Sequence, residues 1–352
     1  MDKQRFYVDI HVLQTVPPSC VNRDDTGRPK TAVYGGANRA RVSSQAWKHA
    51  VREYFTAILP KDKLGARTKY AVSLIADEIK SLAPDTADEK AEKLAVDALN
   101  YAGLKVNEKK NNTTGALFFI SEVQVKKLAE LAAPGEKDKK AYKEAMKASP
   151  SIDLALFGRM AADDNDLNVD ACAQVAHSIS THAVQNEYDY FTAVDDCSPG
   201  DNAGAGHLGT MEFNSSTLYR YATVNAADLC GLIGSDTAEA VKGFAEAFIC
   251  SMPTGKQNSY ANRTLPDMVY VTIRRDQPVN LSGAFERPVR SVNGYSEMSK
   301  KALFEHAEKV YADFCGVPEY SFVIGHEGVL GAEKVSLSEL LDKLQSIISE
   351  VV

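Results

Sequence analysis

Phe6, Val8, Ile10 and Val12 are apolar on one parity, while Tyr7, Asp9 and His11 fill the other. That period of two is the pattern of a half-buried strand. Farther on the period becomes helical, with Ala46, Trp47, Ala50, Val51, Tyr54 and Phe55 on one stripe behind Ser43 or Ser44 as a cap. Between the two, Pro17-Pro18 ends the strand and opens a basic loop containing Gly35-Gly36. The loop is too long for a simple connection, which makes it a candidate for function.

The stretch from Leu64 to Ala148 reads as several short helices separated by Pro84, Gly103 and Pro134-Gly135. A helix is predicted near Asp170 to His182, a long projecting loop over 188–210, a strand over Ser216 to Val224, a helix over Ala238 to Cys250 and a strand over Met268 to Ile273. Further helix-forming sequence lies between Ser299 and Phe314 and after Ser336. The order strand, helix, insertion, strand, helix, strand suits an α+β fold with a ferredoxin-like βαββαβ core. The second core strand leaves no mark in the sequence. In this architecture the helices cover one sheet face and leave the other open, as in RNA-recognition-motif domains.

A length of 352 residues fits two compact units or one domain with a large insertion. Apolar runs such as Val72 to Ile75 and Ala116 to Ile120 are far shorter than the ~20 residues that cross a bilayer, so no membrane span is expected. The N-terminus carries no apolar core or cleavage site of a signal peptide, and a cytoplasmic protein is expected. The six cysteines never come closer than 20 residues to one another, so no CxxC pair seeds a zinc or redox site.

The net charge of -7 argues against a polyanion partner, but its distribution reverses that inference. Residues 22–52 hold seven Lys or Arg against two Asp, whereas 153–201 hold ten acids against the single Arg159. A polyanion responds to the local surface. Gln45, Lys48, His49 and Arg52 stand at i, i+3, i+4 and i+7 and share one helix face. Ser43 and Ser44 would place hydroxyls and free N–H groups at that helix's N-terminus, where the dipole favours an anion. Arg23, Arg28, Lys30, Arg39 and Arg41 lie in the preceding loop. On spacing alone the stripe fits either an RNA backbone or a solvated helix face. Lys137, Lys139, Lys140, Lys143 and Lys147 form a second basic helix edge, for which a solvated face is the simpler reading.

Enzyme signatures fail in context. Gly204-Ala205-Gly206-His207-Leu208-Gly209 satisfies GxGxxG, but an acidic turn precedes it and strand formers follow, where a dinucleotide site needs a strand and then a helix. His177 and His182 are five apart, the wrong spacing for shared ligation on a helix. No GxSxG, HExxH or GxxxxGK[ST] occurs. Asp24-Asp25, Asp163-Asp164 and Asp195-Asp196 are acid pairs of a kind more common in turns than at metals.

The run IHVLQTVPPSCVNRDDTGRPKTAVYGGANRARVSSQAWKHAVR at 10–52 resembles the opening of the CasC family, the backbone subunit of type I-E CRISPR Cascade. LFGRMAA at 156–162, AHSISTHAVQNEYDYFTAVDD at 176–196, GHLGTMEFNSSTLYRYATVN at 206–225 and PTGKQNSYANRTLPDMV at 253–269 follow in the family's order.

The resemblance implies a modified RNA-recognition-motif palm (1–63 and 215–352), a mostly helical fingers insertion (64–187) and a thumb loop (188–214). It implies a non-catalytic subunit, without cofactor or metal, that oligomerises along a crRNA and supports pairing of the guide with a target DNA strand in antiviral defence. Its partners would be copies of itself and the large, small, crRNA 5′-end and crRNA-processing subunits. Arg23, Lys30, Arg41, Ser43, Gln45, Lys48 and Arg52 would grip the guide backbone, and Lys256, Gln257 and Arg263 would add contacts. Met160, Phe191, Thr192 and Leu208 would displace a base at intervals, although Met160 and Phe191 read without the resemblance as core residues. Lys137, Lys140 and Lys143 would approach DNA. Relatives carry more basic residues after the double glycine, where this chain has Ala37 and Asn38. The alternative within the same superfamily is a metal-dependent RNA-cleaving member using Asp24 or Asp25.

Overall fold

A computed structural model describes residues 5–107, 111–193, 197 and 207–351. Its strands are β1 (Tyr7–Ser19), β2 (Thr31–Tyr34), β3 (Ala37–Val42), β4 (Gly65–Thr68), β5 (Val106–Asn107), β6 (Thr113–Thr114), β7 (Phe118–Ser121), β8 (Ala173–Val175), β9 (Ser178–Ser180), β10 (Glu187–Ala193), β11 (His207–Asn225), β12 (Met268–Arg274), β13 (Tyr320–Ile324) and β14 (Glu333–Lys334). Its helices are α1 (Ser44–Ile58), α2 (Ala71–Leu82), α3 (Asp88–Tyr101), α4 (Glu122–Ala132), α5 (Lys139–Lys147), α6 (Ile152–Phe157), α7 (Ala226–Ile233), α8 (Thr237–Cys250), α9 (Gln257–Tyr260), α10 (Ser296–Val310) and α11 (Leu337–Val351). The chain divides into a first unit of 1–53, 175–223 and 244–343 and a second of 54–174, 224–243 and 344–352.

The first unit is built on a large sheet with the order β14-β13-β12-β1-β11-β9-β3-β2, from which β10 pairs with β11 alone. β1 runs antiparallel to β12 from Tyr7 opposite Arg274 to Leu13 opposite Met268. On one sheet face, Trp47 of α1 donates its indole N–H to the Ser178 hydroxyl at 2.9 Å and meets Phe248 of α8 edge-on. The Arg220 guanidinium lies between them, 3.9 Å from the Trp47 ring and 4.7 Å from Phe248, and donates to Gln14 and to the Phe248 carbonyl. Burial lowers its pKa to about 9.

The opposite face is not open. Leu13, Tyr219, Tyr221, Met268 and Tyr270 pack under Leu281, Phe285 and the Leu303, Phe304 and Ala307 stripe of α10. β1 is therefore buried on both sides, with Asp9 and His11 fully inside, and the half-buried strand and free sheet surface expected from the sequence are corrected. Burial leaves the two with protein partners only, and His11 Nε2 has none among the described residues. Asp9 accepts from the Tyr221 hydroxyl at 2.8 Å and the Val279 N–H at 2.9 Å, and His11 Nδ1 hydrogen-bonds the Tyr219 hydroxyl at 2.8 Å.

Burial raises the Asp9 pKa to about 6 and lowers that of His11 to about 3. The two act on stability with opposite signs. The His11 contribution is complete above its unfolded value and is lost as pH falls towards 3. The Asp9 contribution is complete below its unfolded value and is lost as pH rises through 6. From pH 6 down to 4 they offset each other. The Tm of Asp9→Asn should therefore begin to fall just below pH 6.5, whereas the wild-type curve from this pair stays level to about pH 4. Parallel curves in a pH series of thermal melts would overturn this account.

The region expected as a helix near 170–182 holds the short strands β8 and β9, and β9 lies between β11 and β3 in the large sheet. His177 and His182 are consequently not on a helix. His177 lies beside Arg41, and His182 stacks on Tyr295 at 3.6 Å. The expected loop over 188–210 contains β10 and the start of β11, an antiparallel ribbon in which Tyr188 opposes Glu212 and Thr192 opposes Leu208. Its Tyr and Phe residues favour strands, but dense Asp and Gly sequence masked that signal. Residues 194–196 and 198–206, with Asp195-Asp196 and three of the loop's glycines, lie outside the described residues.

The second unit holds the helices expected between Leu64 and Ala148. Pro84, Gly103 and Pro134-Gly135 follow the ends of α2, α3 and α4. Ala71, Val72, Ile75, Ile79, Leu99 and Leu128 belong to its core. Short antiparallel strand pairs, β4 with β7 and β5 with β6, accompany the helices.

Candidate nucleic-acid interface

The basic loop is folded on itself. Asp24 Oδ1 accepts from the Thr26 N–H at 2.9 Å, the Thr26 hydroxyl at 2.8 Å and the Arg28 N–H at 2.9 Å, and these bonds hold its carboxyl below the usual carboxylate range. Asp24 is thus engaged as a turn residue. Among the described residues no group of three or more His, Cys, Asp or Glu could hold a metal ion. The loop closes back on β3, with the Lys30 N–H donating to the Asn22 carbonyl at 2.8 Å and the Arg41 N–H to the Lys30 carbonyl at 2.9 Å.

This closure gathers several of the sequence-predicted residues. Lys30 and Arg41 line a narrow cleft with Ser19, Asn22, Asn214 and Ser216. Arg41 Nε donates to the Thr31 carbonyl at 3.2 Å, and its terminal nitrogen lies 3.2 Å from His177 Nδ1. Burial, with the Arg41 and Lys30 cations, holds His177 below its usual pKa, so the ring adds no cation at neutral pH. Arg23 is exposed beside its bridge to Pro29. Ser43 precedes α1, and its N–H donates to Asn22 Oδ1 at 3.0 Å. The Ser43 hydroxyl is buried and has no hydrogen-bond partner among the described residues.

Along α1, Gln45 is exposed and Lys48 and Arg52 are half-buried, while Trp47, Val51 and Phe55 are fully inside, so the polar stripe stands on its own face. Burial lowers the Lys48 pKa. Arg39 differs from its loop neighbours. It is fully buried and donates to the carbonyls of Ser180 at 2.8 Å, Phe285 at 2.8 Å and Glu286 at 3.3 Å. Its guanidinium is structural and is not offered to a ligand. Gly35, at a φ of 57°, sits so close to the Glu286 carbonyl that a Cβ would overlap it.

Thr192 and Leu208 face each other across the ribbon and are both exposed. The pairing parity puts Phe191 on the opposite face, half-buried over Gly209, where a Cβ would lie 2.4 Å from the ring. The three thumb residues therefore do not share one surface. The face of Thr192 and Leu208 carries Tyr188 and Tyr190 instead, both about two-thirds exposed. Sequence reasoning missed these tyrosines, whose signal was their alternation in EYDYFTA. Gly209→Ala should expel Phe191 from its seat, read as increased quenching of a single fluorinated-Phe191 reporter by a soluble paramagnetic agent. An unchanged response would show that the glycine is not required there.

Lys256, in the left-handed conformation, reaches Met211 Sδ at 3.3 Å, Gln257 opens α9, and Arg263 is exposed with a long 3.4 Å bond to the Cys250 carbonyl. Beside Lys256, Gly255 is pressed against the Val21 carbonyl, which seats this turn on the start of the basic loop.

The remaining predicted residues lie in the second unit. Met160 is 82% exposed, so core packing is ruled out for it. Its neighbour Arg159 is buried and donates to the carbonyls of Leu167, Phe119 and Met146 and to Gln124 Oε1, at 2.9 to 3.2 Å. Burial lowers the Arg159 pKa to about 10. Lys137 and Lys140 are exposed on and before α5, the latter 3.9 Å from Glu144. Lys143 is paired with Asp164 at 2.5 Å.

A family model described as CT1975-like protein matches residues 8–349. A chain of a solved "CRISPR RNA-guided surveillance complex, pre-nicking" is 30% identical, with a TM-score of 0.83, 97% of this chain covered and 100% of that one. A chain of a "CRISPR RNA-guided surveillance complex" is 26% identical, with a TM-score of 0.74 and coverages of 97% and 99%. No curated protein sequence matches. Both similarities run nearly end to end and take in the basic loop, α1, the ribbon and the second unit alike, so the chain belongs to the CT1975-like protein family.

Proposed function

We propose that the protein is a non-catalytic, crRNA-binding backbone subunit of a type I-E CRISPR Cascade surveillance complex. The observation that carries this reading is the end-to-end likeness to a chain of a CRISPR RNA-guided surveillance complex at 30% identity. The motifs at 10–52, 156–162, 176–196, 206–225 and 253–269 support the subtype. The order β12-β1-β11-β9, with α1 after β1 and α8 after β11, is that of a βαββαβ unit and supports an RNA-recognition-motif palm over 1–63 and 215–352, to which β9 adds residues 178–180. Fingers over the rest of 64–187 and a thumb over 188–214 complete the division.

In this reading Arg23, Lys30, Arg41, Ser43, Gln45, Lys48 and Arg52 hold the guide backbone, with Lys256, Gln257 and Arg263 as further contacts. Such phosphate and sugar contacts carry no sequence information, as a subunit serving any guide requires. Because α10 covers the palm's second face, the RNA follows the loop and the helix end and does not stack on the sheet. Met160, Phe191, Thr192 and Leu208 displace bases at intervals, and Lys137, Lys140 and Lys143 approach target DNA. The guide then pairs with target DNA in segments, leaving sequence selection to base pairing. Copies of the chain assemble in the cytoplasm along one guide with the large, small, 5′-end and processing subunits.

The test is co-expression with neighbouring subunits and a CRISPR transcript. A multimer that elutes with nuclease-resistant RNA of uniform length is expected. RNA-free monomer, or cleavage of the transcript that Asp24→Ala with Asp25→Ala abolishes, would overturn the reading.

A further inference from the structure

One carboxylate sits where a phosphate-binding surface has no electrostatic use for it. Glu212 of β11 is 11% exposed at its side chain, and Oε1 takes an ion pair from Arg28 Nε at 2.8 Å. Its other oxygen accepts from the Asn186 amide at 3.0 Å, and Asn186 in turn accepts from the Asn214 amide at 3.1 Å. Arg28 is presented by the turn that Asp24 closes. The network therefore runs from the basic loop into both strands of the ribbon at its base. On the other side of that base, the Val184 N–H donates to the Asn38 carbonyl at 2.9 Å and the Asn38 side-chain amide donates to the Val184 carbonyl at 3.4 Å.

We infer that Glu212 is a positioning residue that fixes the ribbon's departure from the sheet relative to the basic loop, and so fixes where along a bound guide the ribbon meets a base. The inference rests on the guide-binding reading. Arg28 paired to Glu212 offers a phosphate little net charge, so the pair acts through geometry and not through attraction. It also separates Arg28 from Arg23, Lys30 and Arg41, although all four are loop cations.

A guide RNA carrying 2-aminopurine at successive positions, bound in the assembled complex, reads unstacked bases as fluorescence maxima. The wild-type complex should give maxima at a regular spacing. Glu212→Ala should flatten them at least about threefold while guide affinity does not fall and the salt slope does not shrink, since no phosphate contact is lost and the Arg28 cation is released. Glu212→Arg and Arg28→Glu should each flatten the pattern, and the double exchange should restore it. Asn186→Ala, which spares the charges, should give a partial flattening. Full periodicity in folded Glu212→Ala, or affinity falling in step with the pattern, would overturn the positioning role. A wild-type complex that holds guide RNA without regular maxima would remove the base-displacement reading, and this inference with it.

Discussion

Guide affinity should fall by about one to two orders of magnitude near 0.1 M salt when Lys48→Glu and Arg52→Glu are combined, with the salt slope reduced by roughly 1.4 for two lost single-strand phosphate contacts. The expectation follows from α1, where these residues share the face opposite Trp47, Val51 and Phe55. Because Lys48 is half-buried and its cation is partly dehydrated, a phosphate beside it is attracted more strongly than in bulk water. The buried stripe is untouched, and an unchanged circular dichroism spectrum would establish that the variant folds. Binding isotherms at several salt concentrations decide the matter. Wild-type affinity in the folded double variant would remove the helix from the interface.

Arg159→Ala should destabilise the second unit by about 3–5 kcal/mol, as expected when a buried, fully hydrogen-bonded guanidinium is deleted and its partners are left unpaired. Four acceptors from Leu167, Phe119, Gln124 and Met146 converge on it, and its guanidinium lies 4.9 Å from the Phe118 ring. Arg159→Lys should recover only a minor part, since an ammonium cannot reproduce the planar fork. Hydrogen exchange should show the loss as faster exchange in α4, α5 and the 158–169 segment. Equal protection in wild type and Arg159→Ala would refute the anchor. The adjoining Gly158, at a φ of 76°, has Val169 and Ala171 too close for a side chain, so the turn that exposes Met160 is held from both neighbours.

Helical spacing was the most legible signal. The α1 stripe and the breaks after α2, α3 and α4 follow directly from apolar periodicity and from Pro and Gly positions. The alternation over residues 6–12 marks β1 as a strand but carries no sign of its burial on both faces. Asp9 and His11 look like solvent-facing residues until Tyr221, Tyr219 and Val279, from distant parts of the chain, supply their partners. β9 is three residues long, too short for any period to register. At the candidate interface the same limit applies to Arg39 and Arg41, two apart on one strand. Carbonyls of Ser180, Phe285 and Glu286 take one inside, and no local pattern in the loop marks which. The Glu212 to Arg28 pair is equally hidden, because its members stand 184 positions apart in sequence.

A sheet roofed on both faces has only its rim to offer a polymer, and a rim grip is short. Under the guide-binding reading proposed above, each copy would hold a few phosphates and touch few bases, so a single protomer should bind RNA weakly and let go quickly. Strength would come from repetition, as each added copy attaches to a strand already held nearby and meets it at a high effective concentration. Affinity would then be a property of how many copies stand in a row, and on that reading a guide shortened by one repeat should lose a constant factor in residence time.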